Sequence, residues 1–283
     1  MTMDPIQILG GLLLSGLVGW AAYQRRSLTR NGVVGAVITG TLVFGFGGWT
    51  WGLLLIAFFV SSSTLSHYRE MEKMGLAEKF AKGYQRDMGQ ALANGGWGAV
   101  LAVAHAFTPH SLLWAAFVGA MASVTADTWA TELGVLSRGQ PRLITTGEPA
   151  PVGTSGGVSV LGTAATVTGG FFIGLVTFLL QELASIARGK PLTWIDLWII
   201  VVGIVGGLAG SLFDSLMGAT VQGIYYCDCC AKETEKTRHG CGHVTRLVQG
   251  YHWLNNDMVN LFSSVVGSVV AAVVAWFGWQ WLA

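Results

Sequence analysis

Apolar runs long enough to cross a bilayer recur along the whole chain, separated by polar connections. They occupy residues 6–24, 32–47, 49–66, 90–107, 111–129, 156–182, 193–217 and 256–282. A bilayer core needs about 20 mostly apolar residues per helix. The pattern therefore predicts an all-α, polytopic transmembrane helix bundle of about eight spans, one domain over residues 1–283 with a polar loop at 225–255. The second run is short and glycine-rich; as a re-entrant segment it would lower the count to seven. The first run has neither the basic start nor the small-residue cleavage site of a signal peptide and reads as a retained span.

Within these runs the polar residues fall at helical spacing. Ser211, Asp214, Ser215, Gly218 and Gln222 make one stripe, and Ser123, Asp127, Thr131 and Gly134 another. Asn256, Asn260, Ser263 and Gly267, and Gln90, Asn94 and Gly98, repeat the pattern. Each helix thus turns a small, polar face away from lipid. Helix–helix packing accounts for Ser, Thr and Gly at such positions. It does not account for Asp127 and Asp214, because intramembrane carboxylates are costly and mark sites by default. The segments ending at Asp127–Thr128 and Asp214–Ser215 also resemble each other, as a faint internal repeat.

Composition agrees with the pattern. Charged residues make up 11% of the chain, against roughly 25% in soluble domains. A net charge of +1 suggests no nucleic-acid partner. Lys and Arg are unevenly placed: all but Arg188 and Lys190 fall in the connections after the first, third, fifth and seventh runs. The positive-inside rule makes that side cytoplasmic and both termini non-cytoplasmic. The polar motifs gather on the same side, whereas Asp4, His105, His110, Glu182 and Asp196 on the other side read as exposed.

Asp127 and Asp214, at one depth with no basic residue inside the spans, suggest a divalent cation. Mg²⁺ takes oxygen ligands, often one or two carboxylates with phosphates and waters; a proton or Na⁺ site competes. Glu132 lies about 140° around an ideal helix from Asp127, so it shares an ion only if the helix ends between them. Otherwise it is an interfacial carboxylate for Arg138 or Arg142. The stretch Gly153-Thr154-Ser155-Gly156-Gly157 directly precedes an apolar run. A glycine-rich helix start is a potential anion cradle, or simply an N-cap. Arg142, Thr145 and Thr146 come just before it. Arg86 precedes Gln90 and Asn94, and Arg suits phosphate recognition; positive-inside anchoring explains Arg69, Lys73, Lys79 and Lys82.

All four cysteines lie in the last basic connection. Cys227 and Cys230 have C-x₂-C spacing, and His239, Cys241 and His243 follow. Zinc favours such paired sulfur and nitrogen ligands. The spacing predicts a closed structural Zn²⁺ site from Cys227, Cys230, Cys241 and His239, with His243 as alternate and Cys229 as spare. Reduced thiols and a redox pair are the competing readings.

Together, "LLIAFFVSSSTLSHY", "RDMGQALANGG", "ADTWATELG", "PRLITT", "VGTSGGVS", "GSLFDSLMGATVQ" and "LNNDMVN" resemble domain-of-unknown-function family ninety-two, from about Asn31 to Gly267. That family includes the plant chloroplast phytyl-phosphate kinase of vitamin E biosynthesis. The resemblance implies a multi-pass enzyme of a plasma or photosynthetic membrane. It would transfer a phosphoryl group from a nucleoside triphosphate, CTP or ATP, to an isoprenoid monophosphate. Side-chain chemistry, not the family, suggests the roles. Asp127 and Asp214 would hold Mg²⁺, with Asn256 and Asp257 completing the shell. Arg86 and Arg142 would neutralise phosphates, and Gly153–Gly157 would cradle one, with Asn94, Glu132, Thr145, Thr146 and Ser215 nearby. The expected active site is cytoplasmic. Alternatives are a CTP-dependent cytidylyltransferase acting on a lipid phosphate and a cation-coupled transporter.

Overall fold

The structure, a computed structural model, describes residues 4–68, 85–189 and 194–282. Arg69, Lys73, Lys79, Lys82 and Lys190 lie outside the described residues. Eight long helices appear among those described: α1 (Pro5–Gln24), α2 (Arg30–Leu42), α3 (Trp49–His67), α4 (Met88–Phe107), α5 (Ser111–Gly134), α6 (Val160–Ile186), α7 (Trp198–Thr220) and α8 (Asn256–Leu282). Six of them are long and apolar enough to cross a membrane; α2 and α4 fall short. The chain is a multi-pass integral membrane protein.

The short second run has a physical explanation. The 13 α-helical residues of α2 reach only ~20 Å at 1.5 Å per residue. A π-helical turn, Val43–Gly47, extends it. Gly48, at φ 89°, then reverses the chain into α3.

Side-chain caps set several helix starts. Asp4 accepts from the Ile6 N–H, Thr29 from Gly32 and Ser159 from Gly162. At α4, Asp87 and Gln90 form a reciprocal capping box, which satisfies two orphan donors at once.

The bundle is built around α5, in which every residue from Ala115 to Ala126 is buried. Helices α3, α4, α6, α7 and α8 pack on it. Its large side chains, Phe117 and Met121, meet Trp51, Leu54 and Phe58 of α3 in one core. The other contacts use small residues, as expected where lipid supplies no hydrophobic drive between helices. At Gly203 of α7 an added Cβ would sit 2.7 Å from the Gly170 carbonyl oxygen of α6, so this crossing tolerates only glycine. Outward faces stay apolar: Leu9, Leu13 and Leu17 of α1 and Leu179 and Leu183 of α6 are exposed. Glu182 departs from the sequence reading. It is buried beside Asp196 rather than exposed.

The connections add two small sheets to an otherwise helical fold. Strands β1 (Arg142–Leu143) and β2 (Gly157–Val158) pair antiparallel. Strands β3 (Ile224–Cys227), β4 (Lys232–Thr234) and β5 (Arg246–Gln249) form an antiparallel sheet in the order β4-β3-β5. The α1–α2 connection is tied to the start of α4, where Arg86 donates its N–H to Ser27 and accepts from Thr29. The basic connections therefore meet at one end of the bundle.

Candidate functional site

A cavity of about 710 Å³ opens at that end. It forms where the polar stripes of separate helices converge. From α5 come Asp127, Thr131 and Glu132; from α7, Ser211, Asp214, Ser215 and Gly218; from α8, Asn256, Asp257 and Asn260; and from α4, Gln90 and Asn94. Arg86 and the Gly153–Gly157 loop complete the part of the wall that the sequence pointed to.

Asp127 and Asp214 project from neighbouring helices and interact electrostatically. Ser263 Oγ on α8 donates to Asp214 Oδ2 at 3.1 Å. Ser123, one turn below Asp127, donates to the Ser263 backbone carbonyl at 3.0 Å. Hydroxyls of the packing stripe thus lock α5, α7 and α8 together just beneath the carboxylates, and hold Asp214 in place.

The cavity wall also carries a buried cation, Arg86. Arg86 packs its guanidinium 5.6 and 5.7 Å from the ring centroids of Phe58 and Phe59. It donates to Ser63 Oγ at 3.1 Å. Burial pulls the Arg86 guanidinium down to about 10, opposed by the charge of Glu132, so it stays cationic at neutral pH. Glu132 in turn accepts from Ser66 Oγ at 2.6 Å. Helix α5 runs unbroken through both acidic residues to Gly134. Asp127 and Glu132 therefore face different parts of the wall, and Glu132 serves Arg86 and Ser66.

Three expected residues are not on this wall. Arg142 at the start of β1, and Thr145 and Thr146 in the turn after it, are exposed. There Arg142 donates to the Gly147 carbonyl at 2.7 Å, and Thr146 Oγ1 accepts from the Glu148 N–H. None of the three lines the cavity. The glycine loop lines the cavity but is not the start of a helix. Gly153 and Gly156 adopt φ 78° and 77°, the left-handed region that interrupts a helix. Helix α6 begins only at Val160, capped by Ser159. Thr154 and Gly157 spend their N–H groups on turn bonds to Pro151 and Thr154. The loop is thus a wall fitted against α7, where an added Cβ on Gly156 would meet Ala219, and it lacks the helix-dipole cradle expected of it.

Other cavity residues were not singled out in the sequence. Glu235, Lys236, Thr237 and Arg238, in the cysteine-containing connection, reach the cavity, as do Tyr225 and His252. Glu235 Oε1 accepts from Ser155 Oγ at 3.1 Å and from Gln222 Nε2 at 2.9 Å. Those bonds tie the cysteine segment to the glycine loop and to the end of α7. The basic run around Lys236 was visible, but nothing local showed it folding over the helix tips. A second, narrow apolar slot of about 70 Å³ lies between α1, α2, α3 and α4. Leu55, Phe58, Phe59 and Phe44 line it, and it shares Arg86, Gln90 and Asn94 with the main cavity.

Comparison with known proteins adds ancestry. The chain is 32% identical to "Protein PGR" of Arabidopsis thaliana, over 97% of this chain and 98% of that protein. It is 30% identical to the uncharacterized membrane protein MJ0933 of Methanocaldococcus jannaschii, over 96% of this chain and 97% of the other. Identity to "Protein VTE6, chloroplastic" of Arabidopsis thaliana is 26%, over 88% of this chain and 66% of VTE6. No solved structure matches. The family described as "Integral membrane protein DUF92" matches residues 13–268. With a match of that extent and a full-length relative of this similarity, the chain belongs to the DUF92 family of integral membrane proteins.

Proposed function

We propose that this protein is a prenyl-phosphate kinase, transferring the terminal phosphoryl group of a nucleoside triphosphate to a membrane-borne prenyl monophosphate. Kinship with VTE6, a vitamin E pathway protein, points to prenyl-phosphate chemistry. The observation that carries the reading is the pairing of two adjoining spaces. One is polar and lined by both carboxylates and cations; the other is apolar, and Arg86, Gln90 and Asn94 line both. A prenyl phosphate has that division: the slot of about 70 Å³ suits the few carbons nearest the head, the rest of the oily chain lies in the bilayer, and the dianionic head is suited to Arg86.

Phosphoryl transfer asks a protein mainly for in-line positioning and for charge at the moving phosphoryl group. A prenyl-phosphate oxygen attacks the terminal phosphorus. The bond to the bridging oxygen breaks, and the nucleoside diphosphate leaves. The attacking oxygen is already ionised near neutral pH, so no strong general base is needed. Arg86 orients the acceptor phosphate, and Lys236 and Arg238 face the nucleotide phosphates across the cavity. Mg²⁺ fits the oxygen-donor set of Asp127 and Asp214, with Asn256 and Asp257 beside them, and when bound it would neutralise phosphate charge. Asn94, Ser215 and the Gly153–Gly157 wall bound the space. Under this reading the basic end of the bundle faces the cytoplasm, where nucleotide is available.

Purified protein in lipid nanodiscs, supplied with each of ATP, CTP, GTP and UTP against prenyl phosphates of several lengths, tests the reading. Turnover that needs both substrates, with nucleoside diphosphate released, supports it. Pyrophosphate release would instead identify a cytidylyltransferase. Ion flux into liposomes without nucleotide would identify a transporter.

A further inference from the structure

We propose that Cys227, Cys230, His239 and Cys241 form a structural zinc site that clamps the basic segment Lys236–Arg238 over the mouth of the cavity. One ligand atom from each of the four lies within 4.8 Å of every other. Cys227 Sγ and Cys241 Sγ are 3.6 Å apart, and His239 Nδ1 is 3.3 Å from Cys241 Sγ. A tetrahedral ion with Zn–S bonds of ~2.3 Å sets its sulfurs ~3.7 Å apart. The cysteines are free thiols, so a disulfide does not explain the approach.

The backbone is shaped to bring them together. Cys227 ends β3 and pairs with Lys232 of β4, so Cys230 comes round on the hairpin turn. Ala231, just after it, sits at φ 51°. That left-handed conformation costs a non-glycine residue ~1 kcal/mol or more and persists only where the surroundings impose it. The second ligand pair repeats the device. His239 and His243 close a tight turn, Arg238 bridges Val244, and Gly242, just after Cys241, lies at φ 87°. Two turns of the same design, each with a left-handed residue after its last cysteine, face each other across one point.

A competing set, Cys229, Cys241 and His243, offers only three ligands, all exposed. The four-ligand set contains buried Cys227 and buried His239, which favours a closed structural site. Its two halves bracket Lys232–Arg238, and Glu235 through Arg238 line the cavity. An ion there would fix both ends of that segment. The metal assignment does not depend on the reaction proposed above.

The test uses the full chain purified in detergent without chelators from zinc-supplemented cells. Elemental analysis is expected to find about one zinc per chain. Co²⁺ exchange is expected to give the thiolate charge-transfer and tetrahedral d–d bands. C227S, C230S, H239A and C241S should each lower zinc to background, whereas C229S and H243A should retain it. Should the cysteine variants fail to fold, chelator treatment of the wild-type protein supplies the second reading. Zinc should be released while far-UV helicity persists, and trypsin should then cut after Lys236 and Arg238 at least ten times faster. Metal-free wild-type protein, loss of zinc in C229S or H243A equal to that in H239A, or unchanged cleavage after zinc release would overturn the proposal.

Discussion

Replacing Asp214 by Asn is the sharpest perturbation of the carboxylate pair. The substitution keeps shape and leaves a side-chain oxygen to accept from Ser263, whose hydroxyl now donates to Asp214 Oδ2. Only the negative charge is lost. Asp127 and Glu235 both act on Asp214 as like charges, so neutralising it relieves repulsion in the cation-free protein. Two unit charges ~5 Å apart interact by about 3 kcal/mol at an effective dielectric near ~20. A bound divalent cation loses attraction of at least that size, and about 3 kcal/mol in the transition state is on the order of 100-fold in kcat/KM. D214N should therefore lower Mg²⁺-dependent transfer on the order of 100-fold or more. Its thermal midpoint without divalent cation should equal or exceed that of the wild type. Transfer of label from the nucleotide to phytyl phosphate, read beside thermal unfolding with and without Mg²⁺, measures both. Wild-type rates, or lost activity together with a lowered cation-free midpoint, would refute the reasoning.

Arg86→Lys should raise KM for the prenyl phosphate on the order of 10-fold with helicity intact, because an ammonium loses the planar fork and its stacking on Phe58 and Phe59; steady-state kinetics with circular dichroism checks it. Leu55→Trp, which fills the apolar slot, should raise KM for prenyl phosphates several-fold while leaving KM for nucleotide unchanged, in steady-state kinetics with each substrate varied in turn. Gly203→Leu should lower the thermal midpoint and detergent resistance, since the new side chain meets the Gly170 backbone and overpacking costs about 1–3 kcal/mol or more. Arg142→Ala, exposed and bonded to its own turn, should leave KM for nucleotide within about two-fold in the same kinetic assay, since surface changes of this kind are mild.

The helices were legible because apolar runs stand out from the polar connections: all eight runs became helices, six of them long and apolar enough to cross a membrane, with ends shifted by a few residues. The largest shift with consequences is at α6, which begins at Val160 rather than 156. Apolarity does not register that Gly153 and Gly156 take left-handed backbone. Helical spacing also pointed to the polar residues that α4, α5, α7 and α8 bring to the cavity, such as Asn94, Asp127, Asp214 and Asn260, since a polar stripe on an intramembrane helix has few places to point. Arg142, Thr145 and Thr146 were misplaced because proximity in sequence to the glycine loop says nothing about which way a β-turn tip faces. Glu235, Lys236 and Arg238 were missed for the converse reason. Their position depends on the three-stranded order β4-β3-β5, a non-local arrangement, and in sequence they are an ordinary charged run between Cys230 and His239.

The most direct test of the central claim follows the labelled phosphate. Wild-type protein in nanodiscs, given nucleoside triphosphate labelled at its terminal phosphorus and unlabelled phytyl phosphate with Mg²⁺, should yield phytyl diphosphate labelled in its outer phosphate, with unlabelled nucleoside diphosphate. Label recovered in pyrophosphate, or as inorganic phosphate at a rate indifferent to the prenyl acceptor, would contradict it.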